Sequence, residues 1–363
     1  MKRLRTVMAL FLAMLVTIGL ISSQPAATVQ AKSGIDVQLV RDQDSVGPGG
    51  LASFHILYHN VENKNVSHTW FKVKVPHGLE VDAVPEGAVW DAKLRQLSWR
   101  VKEIKGNGAG VIHFQLKASA NLKSGTTLEL DCSVDRGGKV VLGNQKVKLR
   151  IGSEIHQPLF TGYPDGNFHP SAYITRAEVA AVVARVQDLQ NASPNKTYRD
   201  VPEYHWAFPY INKVTNAGLM SGYRGYFRPD EPISRAELVA IVLRLRGVKE
   251  VPLEAFSDAR GHWAKTVIGT AKSLKFIQGK GNDRFHPDGY TERAEAAKLF
   301  SIALLRGPLA DGETKVVQHF PDVSPRHWAF PWVEEVSKLA HESIRRGNSE
   351  RLIKYLPYQT DEF

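Results

Sequence analysis

Apolar and polar residues alternate along the first part of the chain and then abandon that rhythm. Between residues 35 and 151 the runs FHILYHNV, HTWFKVKVP, LEVDAV, QLSWRV, GVIHFQLKA, TLELDCSV and KVVLGNQKVKLRI are short and β-rich. Gly, Asn, Pro and Asp turns separate them at spacings of about ten to fifteen residues. Successive side chains on a strand point to opposite faces, so this pattern predicts an antiparallel β-sandwich over residues 32–152. In TLELDCSVD the single cysteine, Cys132, shares a face with Leu128, Leu130 and Val134. That placement predicts a buried core thiol, neither a nucleophile nor half of a disulfide.

After residue 155 the apolar spacing becomes helical. Following TRAE, Val179, Val182, Val183 and Val186 fall at i, i+3, i+4 and i+7; Leu238, Ile241, Val242 and Leu245 do so after SRAE, and Ala296, Leu299, Phe300 and Ala303 after ERAE. Arg176, Arg235 and Arg293 are 59 and 58 residues apart, and the same intervals separate Phe168, Phe227 and Phe285, and Pro170, Pro229 and Pro287. A second half-unit, YRDVPEYHWAF, FSDARGHWAK and FPDVSPRHWAF, also occurs three times. The series opens on a lone first half and ends on a lone second half. This predicts a closed, pseudo-threefold assembly in which the last half completes the first, where an open solenoid would favour intact caps. The expected organisation is all-β then all-α: a sandwich, a helical region over 153–345 with units at about 156–198, 199–255 and 256–345, and a C-terminal tail over 346–363.

The stretches GYPDGNFHP…ITRAE, GYRGYFRPDEPISRAE and FSDARGHWAK…GKGNDRFHPDGYTERAE resemble S-layer homology repeats. The resemblance implies a three-pronged helical bundle that binds a pyruvylated secondary cell-wall polysaccharide, with the arginine of TRAE taking part. It departs from the family pattern in three places: the opening half of the first unit is missing upstream, the second loop (Gly222 to Phe227) is one residue shorter, and Glu292 stands where Thr175 and Ser234 stand in the other units. The β-rich segment resembles the immunoglobulin-like repeat modules of bacterial surface proteins, with a cohesin-type sandwich as the alternative.

The residues carry chemistry of their own. Thr175 with Glu178, and Ser234 with Glu237, form capping boxes. Arg176, Arg235 and Arg293 each open a helix, where a cation is disfavoured by a few tenths to about 1 kcal/mol. Recurring three times, a guanidinium beside helix-start amides points to a carboxylate site; the alternative is an arginine paired with a neighbouring acid. Glu292 is expected to pair with Arg293 and weaken the third site. The loops containing Gly162, Tyr163, Gly222, Tyr223 and Gly279 are read as turns or as walls of a sugar pocket. Trp206, Trp263 and Trp328 are read as core anchors, with stacking on a sugar as the alternative. His205, His262 and His327 lack ligand spacing, and no metal or cofactor is expected.

Charge and motifs then exclude classes. MKRLR, the apolar TVMALFLAMLVTIGLI and VQA ending at Ala31 read as a signal peptide over 1–31, with an uncleaved anchor as the alternative. The expected location is thus outside the cell, at the cell wall or S-layer, with membrane contact only in transit. Losing Lys2, Arg3 and Arg5 lowers the net charge from +10 to +7, and the remainder is spread over both parts, so no basic stripe marks a nucleic-acid partner. No G-x-S-x-G, H-E-x-x-H or Cys/His pair marks an enzyme, and LPYQT lacks the Gly and apolar tail of a sortase signal. The expected partners are the wall polysaccharide and, through the sandwich, copies of the chain or another surface protein.

Overall fold

Ten strands build the β-rich part: β1 (Ile35–Arg41), β2 (Ser45–Val46), β3 (Leu51–Asn60), β4 (Val66–Lys74), β5 (Leu79–Glu80), β6 (Ala88–Asp91), β7 (Gln96–Ile104), β8 (Ala109–Ala118), β9 (Thr127–Arg136) and β10 (Lys139–Ile151). They form two sheets, ordered β1-β3-β8-β5 and β2-β10-β9-β4-β7-β6. Every pair is antiparallel except β2 with β10. This is a computed structural model describing residues 34–187, 189 and 197–356. The expected signal peptide lies outside the described residues.

The alternation places one face of each strand in the inter-sheet core. Leu130, Cys132 and Val134 are fully buried, and Leu128 nearly so. Phe54 stacks on Phe114 at 5.3 Å, and Trp99 packs against the same ring. Burial pushes the Cys132 thiol up to about 12, which suits packing and not attack.

The helices are α1 (Arg176–Val186), α2 (Phe208–Asn216), α3 (Arg235–Leu245), α4 (Lys265–Ser273), α5 (Arg293–Ala303) and α6 (Phe330–Val336). In α1, α3 and α5 the residues of the apolar register are buried or packed on a core. Four further strands make a third sheet, ordered β11-β13-β14-β12: β11 (Ser153–His156), β12 (Leu309–Ala310), β13 (His341–Arg346) and β14 (Ser349–Tyr355). Residues 349–355, placed by the sequence reading in a tail, therefore belong to this sheet. Their strand character escaped notice because SERLIKY is half polar and pairs with β13 across the short turn at Gly347.

The sandwich docks on the helical part. Val40 and Leu57 share a core with Leu243, Val248 and Val251. The Gln38 amide accepts from Lys249 N–H at 2.8 Å and donates to Lys249 C=O at 3.1 Å. Arg246, half-buried between the parts, donates to the Arg41 and Ile302 carbonyls.

On the outer face of β3 and β8, His55 Nδ1 lies 2.6 Å from His113 Nδ1, with Asp42 on His55 Nε2 and Lys275 approaching from the helical part. Partial desolvation against the neighbouring rings, then His55 and Lys275, outweigh Asp42 and push His113 down to about 4. A depressed histidine contributes stability that is present above its unfolded value and lost as pH falls through the folded one. Thermal stability should therefore decline between about pH 6.5 and 4, and His113→Gln should flatten that slope in a pH series of melts.

Candidate functional site

The three units close through their backbones. Ile174 N–H donates to Thr291 C=O, Thr291 N–H to Ile233 C=O, and Ile233 N–H to Ile174 C=O, at 3.0 to 3.1 Å, a cycle with no free end. Side chains repeat the cycle. Asp200 accepts from the amides of Phe227 and Arg228, Asp258 from those of Phe285 and His286, and Asp322 from those of Phe168 and His169. The last contact joins the final half-unit to the first.

Thr175 and Ser234 form their capping boxes with Glu178 and Glu237. Glu292 makes no side-chain cap. The helix-start amides expected to greet an anion are occupied. Arg176 and Ala177 donate to Glu231 and Pro229 C=O, Arg235 and Ala236 to Gly289 and Pro287, and Arg293 and Ala294 to Ala172 and Pro170. The first two amides of each helix are therefore closed to an anion.

Each arginine crosses to the next unit. Arg176 donates to Phe227 C=O, Ser221 C=O and Glu237, the last at 2.8 Å; its guanidinium lies 4.9 Å from the Phe227 ring centre. Arg235 donates to Phe285 C=O and, at 2.7 Å, to Glu295, over the Phe285 ring. Arg293 donates to Phe168 C=O, Thr161 C=O and, at 3.2 Å, Glu178, with Tyr163 and Phe168 against its plane. A carboxylate, carbonyls and an aromatic face thus offset the cost of a cation at a helix start. The expectation that Glu292 neutralises Arg293 is corrected. Cap and first helical residue point about 100° apart, and the carboxylate reaching Arg293 is Glu178.

The tryptophans also differ from the core reading: Trp206, Trp263 and Trp328 are 55%, 63% and 52% exposed. Ala207, Ala264 and Ala329, one residue later, take the buried place. Each preceding histidine folds back locally: Nδ1 of His205, His262 and His327 accepts from the amide of that alanine at 3.1 to 3.2 Å, and its ring lies beside the tryptophan. The loop glycines serve close approach. A Cβ on Gly162, Gly222 or Gly279 would press into Phe320, Tyr198 or Phe256, the aromatic opening the second half-unit. Tyr163 reaches Glu178 at 2.7 Å, whereas Tyr223 is largely exposed beneath Arg224.

The clefts are unequal. Between the second and third units, Arg235, Gln278, Gly279, Lys280, Phe285, Glu295, Lys298 and Trp328 line one cavity. Burial pushes the Glu295 carboxyl up, but Lys280 and Arg235 outweigh it and hold it low. Lys298 is half-buried, and desolvation lowers its pKa. Lys280 stands where the other loops carry Tyr163 and Tyr223, and Lys298 where α1 and α3 carry Ala181 and Ala240. At those two positions this cleft carries lysines where the other units carry tyrosine and alanine. Sequence reasoning missed both lysines, although the substitution of GKGND for GYPDG was visible.

Residues 159–180, 197–239 and 255–297 match the S-layer homology domain, so the helical part of the chain carries S-layer homology repeats. Cell surface glycoprotein 1 of Acetivibrio thermocellus is 36% identical over 225 residues, 57% of this chain and 9% of that protein. The cellulosome-anchoring protein of the same organism is 34% identical over 216 residues, 56% of this chain and 47% of that protein. The chain thus spans less than half the length of either. A cohesin from Acetivibrio cellulolyticus, solved with a dockerin, aligns over 32% of this chain and 98% of its own at 16% identity and a TM-score of 0.26. The sandwich assignment rests on the strand pairing described above.

Proposed function

We propose that the helical part anchors the chain non-covalently to the bacterial cell wall by binding an anionic, pyruvylated secondary polysaccharide, and that the sandwich is carried as a non-catalytic display module. A location at the cell wall or S-layer is supported by the S-layer homology match and by relatives named as surface and anchoring proteins. The observation that carries the binding reading is the cleft between the second and third units, where Lys280 and Lys298 flank an internally compensated Arg235–Glu295 pair. Glu295 is shared by Arg235 and Lys280, so this triad carries one net positive charge toward a sugar carboxylate and Lys298 adds a second. The exposed Trp328 face offers the sugar ring a stacking surface.

Sedimentation of the full chain with purified walls tests this. The chain should pellet, and removing the secondary polymer while leaving peptidoglycan intact should abolish pelleting. Lys280→Ala and Lys298→Ala should each weaken binding about tenfold to a hundredfold, the equivalent of a charge-assisted contact of roughly 1.5 to 3 kcal/mol. Arg293→Ala should matter less than Arg235→Ala, because Arg293 is walled in by Tyr163, Phe160 and Phe168. Equal pelleting on bare peptidoglycan would refute the polymer reading. A second reading, the sandwich as a receptor for a partner module, is supported by the cellulosome-anchoring relative. It predicts capture of one protein at fixed stoichiometry, without change in wall binding.

A further inference from the structure

Away from the clefts, the third sheet gathers three side chains that neither anchoring nor display uses. His156 ends β11, the strand leaving the sandwich; Glu335 lies on α6, in the final half-unit; His341 opens β13. All three are essentially inaccessible, at 3%, 1% and 0%. Glu335 Oε1 lies 2.6 Å from His156 Nδ1, and its Oε2 lies 3.2 Å from His341 Nε2. One donor atom from each falls within 4.8 Å of the others.

Two details separate this cluster from an ordinary buried ion pair. First, the Oε1 contact has the length of a hydrogen bond but not the direction, and this buried oxygen accepts no directed bond. Ligands about 2.0 to 2.1 Å from a tetrahedral ion sit about 3.3 Å apart, so a bound ion would spread this 2.6 Å pair and take up the unbonded oxygen. Second, each imidazole turns its other nitrogen to an outer acceptor: His156 Nε2 faces Glu154 Oε2 at 3.5 Å, and His341 Nδ1 faces Leu339 C=O at 3.4 Å. Metal-bound histidines are held in this way, the outer acceptor setting the tautomer and the ring orientation. Arg306 stands 3.9 Å from Glu335 Oε1 and donates to Gln157 C=O. Two neutral imidazoles and one carboxylate suit zinc or a similar first-row divalent ion and not calcium or magnesium, which prefer oxygen ligands.

We infer that His156, Glu335 and His341 form a structural site for a zinc-class divalent cation that clasps the strand leaving the sandwich to the last half-unit of the anchor. Ser343 Oγ lies 3.4 Å from His156 Nδ1 and donates to Glu350 at 3.3 Å. The ion would fasten the closed ring at its seam, since β11 precedes the first half-unit and α6 belongs to the last.

The full chain, stripped with chelator, should take up about one equivalent of Zn2+ in competition with a chromogenic chelator. Its thermal midpoint should rise by about 4 °C or more at a hundredfold excess over Kd. Co2+ should give the strong visible bands of a four- or five-coordinate ion, a readout that needs no variant. His341→Gln and Glu335→Gln should lower Zn2+ affinity about a hundredfold or more, and Glu154→Gln tenfold to a hundredfold as an outer partner. Weak, multiple uptake with the pale spectrum of six-coordinate Co2+ would overturn the proposal, as would wild-type affinity in a folded His341→Gln chain.

Discussion

Phe227→Ala should lower unfolding free energy by about 3 to 5 kcal/mol, whereas Trp263→Ala should stay within about 0.5 kcal/mol. Phe227 is fully buried, packs against Tyr198 at 5.4 Å and lies under the Arg176 guanidinium. Its backbone is held at both ends, the amide by Asp200 and the carbonyl by Arg176. Removing the ring leaves a cavity and strips Arg176 of its apolar floor. Trp263 has most of its surface in water already, and Ala264 fills the buried position beside it. Urea unfolding of the two variants decides the matter. Comparable losses would return the tryptophans to the core; a neutral Trp263→Ala that binds walls less well would leave them as stacking surfaces.

Asp322→Ala should cost about 3 kcal/mol or more, since a carboxylate bonded to two amides leaves both donors unpaired when it is removed. The amides are those of Phe168 and His169, at 2.9 and 2.7 Å, and His169 is held at φ 56°, a left-handed conformation that the same contact supports. Asp322→Asn should lose roughly half as much, because its amide keeps one acceptor oxygen and turns an N–H toward the other donor. Equal costs for Asp200→Ala, Asp258→Ala and Asp322→Ala would show the three units unfolding as one ring. A far smaller cost at Asp322 alone would mean that the final half-unit hangs on an open solenoid.

The permuted halves make this ring legible in the sequence, because equal numbers of complementary halves need a closing contact. The capping boxes were legible for the same kind of reason: Thr175 and Glu178 are three residues apart, and a helix brings such neighbours together wherever it sits. The inward role given to Trp206, Trp263 and Trp328 failed because HWA offers two apolar residues in succession at the start of a helix. One of them must face out, and the half-unit buries the smaller, Ala207, Ala264 or Ala329. The pairing of Glu292 with Arg293 failed because adjacency in sequence was taken for adjacency of side chains.

What the sequence by itself determined is therefore what depends on neighbours within one element. Strand alternation put Cys132 in the core, helical spacing selected the buried faces of α1, α3 and α5, and repeat order implied the threefold closure. The tertiary structure alone decided what depends on which elements meet. Arg176, Arg235 and Arg293 find their carboxylates 61, 60 and 115 residues away. Lys280 and Lys298 flank one cleft only because a loop and a helix face converge there. His156 joins Glu335 and His341 only because a strand after the sandwich pairs with one near the end of the chain. Periodicity reports the direction a side chain takes from its own backbone; the partner waiting there is set by packing between distant segments, and no local pattern encodes it.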